Sequence, residues 1–455
     1  MSAFDDLMST GVSLEVASIA RGTSDELREW LSTRGTPTAD VRVAVDSVMV
    51  EVLTLKVDSV ESKRAQETKL RLVNDWIDWC DAVEFFGSAA RLRDDNRDKV
   101  GYYNMVQNSI QFAKCSPCQI PIFDPRKGKT DRYQCVQLED GRVLFWGFKP
   151  EYSKSSVLRG ADGVTMCAMF PPLPRAASQV RRLETGHFQM CAVKKYDKEK
   201  VHSRAYQENA IIEVFIGQKL SAARVPHIVP FHAFLNGEKS YVAVTAFMPG
   251  EELFDWVGSG DPSIEDVRKM FAAMTRGVRV LHRSGIAHQD VSLENFVLDV
   301  EGNPYIIDFG LAHIMSPSSG GEFRKHRPKR AGKVSYTAPE VGRANQSTAA
   351  LIDGRCDDIW ALGICLFRMI FGDDPWDAPN YNPRIILEQE LLAWLEENDW
   401  IDVPSREPLM YAAVDLMQWI FTASPDQRPR VDDILAHAFV TGQAVHRHNV
   451  RSGRV

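Results

Sequence analysis

The chain has 455 residues, 44% hydrophobic, 25% charged and 9% aromatic, which suits two to three domains and excludes a chain disordered throughout. Lys+Arg 54 against Asp+Glu 61 leaves a net charge of −7, so a global nucleic-acid binder is excluded and any such contact must be local. Eight cysteines are too sparse for a disulfide scaffold. The CxxC pair Cys115-Ser-Pro-Cys118 has neither a second pair nor a nearby histidine, so ordinary thiols in a reducing compartment are expected. The N-terminus lacks a basic region followed by an apolar run, and no stretch approaches ~18 uninterrupted apolar residues. A soluble cytoplasmic protein without membrane contact is the expectation.

Residues 1–110 contain no proline except Pro37 and are patterned like helices. Val41, Val45, Val48, Val52 and Leu55 fall on one helical stripe, although the same valine-rich stretch also alternates like a strand; the stripe runs over four turns and favours helix. A second run carries Leu70, Val73, Trp76, Ile77, Cys80 and Val83. Together they predict a small packed bundle, with an oligomerising coiled coil or a protein-partner site as the alternative. Pro117, Pro121, Pro125 and the following Arg126-Lys-Gly-Lys129 read as a linker. Tyr133–Leu138 and Val143–Phe148 around Gly141 read as a β-hairpin. Short strands then run to about residue 247 and helices to about 441, the mark of an α+β arrangement in two lobes.

Several motifs stand in order in this second part. They are Cys191-Ala-Val-Lys194, with Glu213 in a helical run 19 residues on; His288-Gln289-Asp290-Val-Ser292-Leu-Glu294-Asn295; and Asp308-Phe-Gly310 after the strand-like Tyr305-Ile-Ile307. Ala338-Pro-Glu340, Asp358-Ile-Trp360-Ala-Leu-Gly363 and Arg428 follow. Any one is weak, but the ordered set resembles the catalytic domain of eukaryotic protein kinases, serine/threonine type, over residues 151–441. The resemblance implies the two-lobed kinase fold, a small β-rich lobe and a large helical one, preceded by a helical region over 1–110 and a linker with hairpin over 111–150. A tail over 442–455 completes the expected organisation.

The resemblance also implies roles. Lys194 would hold the α- and β-phosphates of ATP and Glu213 would orient it, with Glu208 as rival partner. Asp290 would accept or orient the proton of the substrate hydroxyl, while Asn295 and Asp308 would hold magnesium (Mg2+). Thr245, Ala246, Phe247, Met248 and Glu252 would form the gatekeeper, hinge and nucleotide edge, and Gly160 and Gly163 a phosphate-covering loop. Asp358 would anchor the catalytic-loop backbone, and Arg428 would pair with Glu340.

Five departures from the family pattern stand out. Leu158 replaces the first glycine of the loop and Thr165 its usual valine, which predicts weaker or slower ATP handling. Gln289 replaces the arginine that gathers a phosphorylated activation segment, despite Ser316, Ser318 and Ser319 nearby. Ser292 replaces the catalytic-loop lysine, and Lys333 stands where such kinases carry threonine. Lys333 is therefore expected to return the missing charge from the opposite side; a solvated lysine on an impaired enzyme is the alternative.

The segment 324–330 holds five Lys/Arg in seven positions and reads as a solvated loop, an attractor of acidic substrate, or a nuclear import signal. By resemblance to basophilic members of the family, Glu252 and Glu294 would receive an arginine three residues before the phosphoacceptor. Arg175-Ala-Ala-Ser178 fits that pattern, making Ser178 a candidate autophosphorylation site. The competing readings are a pseudokinase scaffold acting through residues 1–110 and, more distantly, a small-molecule phosphotransferase.

Overall fold

The computed structural model describes residues 12–443 apart from 34–38, 54, 56, 58, 95–98, 126, 147–164, 173–179, 184–185, 202–209, 261, 319–322, 329–332, 345–350, 376–390 and 398–407. Its first described elements are α1 (Val12–Arg21), α2 (Ser24–Thr33) and α3 (Ala39–Leu53). Thr23 starts α2: its hydroxyl accepts from the Glu26 amide at 3.1 Å, and its own amide donates to the Glu26 carboxylate at 2.5 Å, a reciprocal cap. The valine-rich segment is the helix α3, and Val45, Val48 and Val52 are fully buried. They meet Leu27, Trp30, Val73 and Trp76 in a separate small core, so the apolar stripe is filled within the chain.

Helix α4 (Val60–Asp94) has 35 residues and is therefore about 50 Å long. Ser59 and Ser62 cap its start through reciprocal amide-to-hydroxyl bonds of 3.0 Å. Its first half completes the bundle through Val73, Trp76 and Cys80. Its second half, with Ala82, Phe86 and Ala90, belongs to the main core, as do Val106 of α5 (Lys99–Ser109) and Ile110. The end of α4, α5 and Ile110 are thus built into the main core.

Cys115–Asp124, expected as a linker, is instead a ten-residue strand, β1, paired in antiparallel register with β2 (Lys129–Leu138). Its prolines fit because side and backbone directions alternate along a strand. Pro117, Pro121 and Phe123 share one backbone direction, and Phe123 turns its carbonyl outward to accept from the Leu183 amide. Among the described residues that outer edge carries only the two-residue β5 (Arg181–Arg182), against Ile122 and Phe123. The missing proline N–H groups therefore cost β1 no bond to β2.

The expected hairpin is present, but its second strand β3 (Val143–Phe145) also pairs with β4 (Thr165–Phe170). Then come β6 (Gln189–Asp197), helix α6 (Ala210–Ala222), β7 (Phe231–Asn236) and β8 (Ser240–Ala246). Among the described residues these eight strands form one sheet in the order β5-β1-β2-β3-β4-β6-β8-β7. A boundary at residue 150/151 would cut this sheet, so the β-rich lobe starts earlier than expected. The sequence hid this because β1 is rich in proline.

The second lobe is helical: α7 (Leu253–Ser259), α8 (Ile264–Arg283), the short strands β9 (Ile286–Ala287), β10 (Phe296–Leu298), β11 (Pro304–Ile306) and β12 (His313–Ile314), then α9 (Pro339–Ala344), α10 (Gly354–Phe371), α11 (Leu391–Glu397), α12 (Pro408–Ile420), α13 (Val431–Ala436) and α14 (Ala438–Thr441). Ser263 caps α8 by accepting from the Asp266 amide. Helix α10 lies at the centre with Trp360 fully buried, and Gly363 lets α12 approach; a Cβ there would come within 2.5 Å of Ile420. The α+β, two-lobed expectation holds. Among the described residues no helix is long and apolar enough to cross a membrane.

Candidate active site

Alternation along β6 turns Cys191 and Val193 into the sheet core and leaves Ala192, Lys194 and Tyr196 on the cleft face. Lys194 Nζ lies 3.1 Å from both carboxylate oxygens of Glu213 on α6 and 3.2 Å from Asp308 Oδ2. Glu208 falls outside the described residues. Asp308 reaches this position because β10 and β11 form a tight antiparallel pair, Phe296 opposite Ile306. That register sets Asn295 beside Ile307, whose amide donates to the Asn295 carbonyl at 3.1 Å. Asn295 in turn donates from Nδ2 to Asp290 Oδ2 at 2.8 Å and to the Asp290 carbonyl at 2.7 Å.

The catalytic loop is held from below by one carboxylate. Asp358 of α10 is buried and accepts from the amides of His288 (2.8 Å) and Gln289 (2.7 Å), with His282 Nε2 at 2.9 Å. Gln289 and Asp308 both sit at positive φ, 59° and 63°. Such backbone costs about 1–3 kcal/mol per residue and persists only where neighbours over-determine it. The Asp358 carboxylate supplies that support under Gln289, and the Gly310 amide, 3.1 Å from Asp308 Oδ1, does so at Asp308.

Lys333 reaches across the cleft mouth. Its Nζ donates to Ser292 Oγ at 2.7 Å and pairs with Glu294 Oε2 at 3.0 Å. The Lys333 ammonium thus meets Ser292, the residue that stands where the family pattern has a lysine. Arg428 pairs with Glu340 through two bonds of 2.6 and 2.8 Å. Ser316 is buried, which removes it as an accessible phosphoacceptor; Ser319 lies outside the described residues.

The cleft has a volume of about 560 Å³. Lys194, Glu213, Asp290, Asn295, Asp308 and Lys333 line it, as do Thr245, Ala246, Phe247, Met248 and Glu252. Gly160, Gly163 and Ser178 fall outside the described residues. Ala192, Val297 and Ile307 also line the cleft and were not assigned to it from sequence. Ala192 is two residues before Lys194 on one strand face.

Burial and the nearby Asp308 push the Glu213 carboxyl up to about 7 against the pull of Lys194. Burial also raises Asp290, with Lys333, His288 and Asn295 pulling it back. Burial would raise Asp308 too, but Lys194 and the Gly310 amide outweigh it and hold it low. Transfer should therefore fall as pH drops through about 7, because a protonated Glu213 releases its charge grip on Lys194. A kcat/KM–pH profile of Glu213→Gln should lose that acid limb; an unmoved limb would assign it to Asp290. The stability contribution has the opposite sign. The folded carboxyl binds its proton more tightly than at its ordinary value of 4.5, so folding gains as pH falls from about 7 towards 4.5.

A β-rich lobe with a paired lysine faces, across one cleft, a helical lobe bearing two aspartates and an asparagine. The protein kinase domain model matches residues 176–440. The human NUAK family SNF1-like kinase 2 is 23% identical over 263 residues, covering 58% of this chain and 38% of that protein. The serine/threonine-protein kinase chk1 of Schizosaccharomyces pombe is 26% identical over 284 residues, covering 59% and 54%. The Drosophila melanogaster serine/threonine-protein kinase grp is 30% identical over 223 residues, covering 48% and 40%. The matched part spans about a third to half of the length of these relatives. The chain belongs to the protein kinase family.

Proposed function

We propose that the protein transfers the γ-phosphate of ATP to serine and threonine hydroxyls of protein substrates. The observation that carries this reading is the assembled pair of charges, Lys194–Glu213 at 3.1 Å and Lys194–Asp308 at 3.2 Å, in one cleft with Asp290 and Asn295. The cleft walls Ala192, Val297 and Met248 suit the adenine ring, and Lys194 neutralises the α- and β-phosphates. The oxygen donors of Asp308 and Asn295 fit Mg2+, which when bound neutralises charge between the phosphates. Asp290 takes the proton of the attacking hydroxyl as its oxygen bonds to phosphorus and the bond to the leaving ADP oxygen breaks. Lys333 supplies positive charge to the transferred group in place of a catalytic-loop lysine.

For the substrate, burial, Asp255 and Glu294 together raise Glu252, so the groove disfavours further negative charge and favours a guanidinium. Glu294 already pairs with Lys333, so Glu252 carries most of the preference for an upstream arginine. Degenerate peptides offered with labelled ATP should be labelled on serine and threonine, with enrichment for arginine three residues upstream. Flat labelling across that position would reject the basic preference, and no labelling would favour the scaffold reading. The free cysteines fit a reducing cytoplasmic compartment, which cell fractionation tests.

A further inference from the structure

Helix α6 is apolar nearly all round, with Ile212, Val214, Phe215, Ile216 and Leu220 buried. A helix of this kind must be packed on opposite sides. Glu213 and Phe215 are two residues apart, about 200° around the helix axis. Glu213 therefore points at Lys194 while Phe215 points back into α4, its ring 5.6 Å from that of Phe85 and 5.4 Å, edge-on, from that of Phe86.

Further contacts hold the same face. Lys219 lies over the Phe85 ring at 4.5 Å, and Gln218 exchanges bonds of 2.7 and 3.0 Å with the Gln111 backbone. Beyond the end of α6, Arg224 pairs with Asp75 of α4 at 2.7 Å.

The same long helix also touches the segment that follows Asp308. Arg93 donates from Nη1 to the Ile314 carbonyl at 2.7 Å. Gly87 faces Pro317, where an added Cβ would meet Pro317 Cγ at 3.2 Å, so a glycine permits this approach. Trp79 donates to Ser284 Oγ at 2.7 Å, fixing α4 to the end of α8. One helix thus braces, from behind, the helix that carries Glu213 and the short strand β12 that follows Asp308 in the chain.

We propose that α4 is a built-in clamp, in which Phe85 and Phe86 are positioning residues for Glu213 and Arg93 secures the strand after Asp308. The clamp sets the Lys194–Glu213–Asp308 cluster without phosphorylation of the activation segment, whose usual phosphate-gathering arginine is Gln289 here. Its catalytic consequence rests on the phosphotransfer reading above, but its positional content does not.

The test uses the full chain and the variants Phe86→Ala, Phe86→Leu, Phe85→Ala and Arg93→Met, followed by amide hydrogen exchange and by transfer kinetics. Phe85 is only partly buried, so Phe85→Ala keeps the test readable should Phe86→Ala not fold. Exchange over residues 210–222 should accelerate about tenfold or more in the alanine variants while α12 stays protected. The kcat/KM for ATP should fall up to about 10²-fold, and Phe86→Leu should recover most of it. Unchanged exchange at 210–222, acceleration spread equally through α12, or unchanged kcat/KM beside an active parent each overturn the clamp. A parent that transfers no phosphate defeats the phosphotransfer reading, and the exchange data still decide the clamp.

Discussion

Lys333→Ala lowers kcat by about 10²-fold or more while leaving the fold intact, and Ser292→Lys/Lys333→Thr recovers most of that loss. The Lys333 side chain is 36% exposed, and its ammonium is shared between Ser292 at 2.7 Å and Glu294 at 3.0 Å. Were it only a surface ion pair, its removal would cost about 0–1 kcal/mol and would hardly move turnover. Its reach into the catalytic site argues for the larger effect. After burial, Lys333 is the strongest influence on Asp290, and it pulls that carboxyl down. A transferring phosphate carries developing charge at this place, and a fixed cation there typically contributes two to three decades of rate. The double variant returns a lysine from the catalytic loop and a hydroxyl from the activation segment, so recovery identifies charge, rather than packing, as what was lost. Steady-state rates at saturating ATP measure it, and unchanged turnover in Lys333→Ala would remove Lys333 from the mechanism.

Arg428→Ala destabilises the protein by about 3–5 kcal/mol. The Arg428 side chain is 1% exposed and Glu340 13%, so deleting the guanidinium strands a carboxylate away from water. Arg428 also donates to the Thr422 carbonyl at 2.9 Å and the Cys356 carbonyl at 3.2 Å and stacks on Trp360 at 4.9 Å. These contacts tie α9, α10 and the turn before α13 together, so the loss is not local. Because total stability is typically about 5–15 kcal/mol, the variant should unfold at much lower denaturant. Arg428→Met/Glu340→Met should be more stable than Arg428→Ala, since no charge is then left unpaired. A denaturation midpoint for Arg428→Ala close to that of the parent would show that the Glu340 carboxylate finds water.

What could be read from sequence divides along physical lines. The Asp358 anchor, the Arg428–Glu340 pair and the approach of Lys194 to Glu213 were legible because each rests on a motif with fixed local geometry. The meeting of Lys333 and Ser292 was legible only as two departures from one pattern, 41 residues apart. Strand β1 was not legible, since proline spacing reads as a linker until the outward edge is known. The all-round apolar character of α6 was a visible sign of a second packing partner. It did not say which segment supplied it, because Phe86 and Phe215 are far apart in sequence and nothing local couples them. Ala192 was readable from strand alternation alone and needed only that the residue two positions before Lys194 be followed to the same face.

This cleft is proposed to move phosphate from ATP to a hydroxyl. The most direct measurement is label transfer from γ-labelled ATP to a serine peptide, with and without magnesium, for the parent chain and Asp308→Ala. Magnesium-dependent labelling by the parent, reduced to background in Asp308→Ala, is the predicted result. Equal labelling by both proteins, or none by the parent in magnesium, would contradict it.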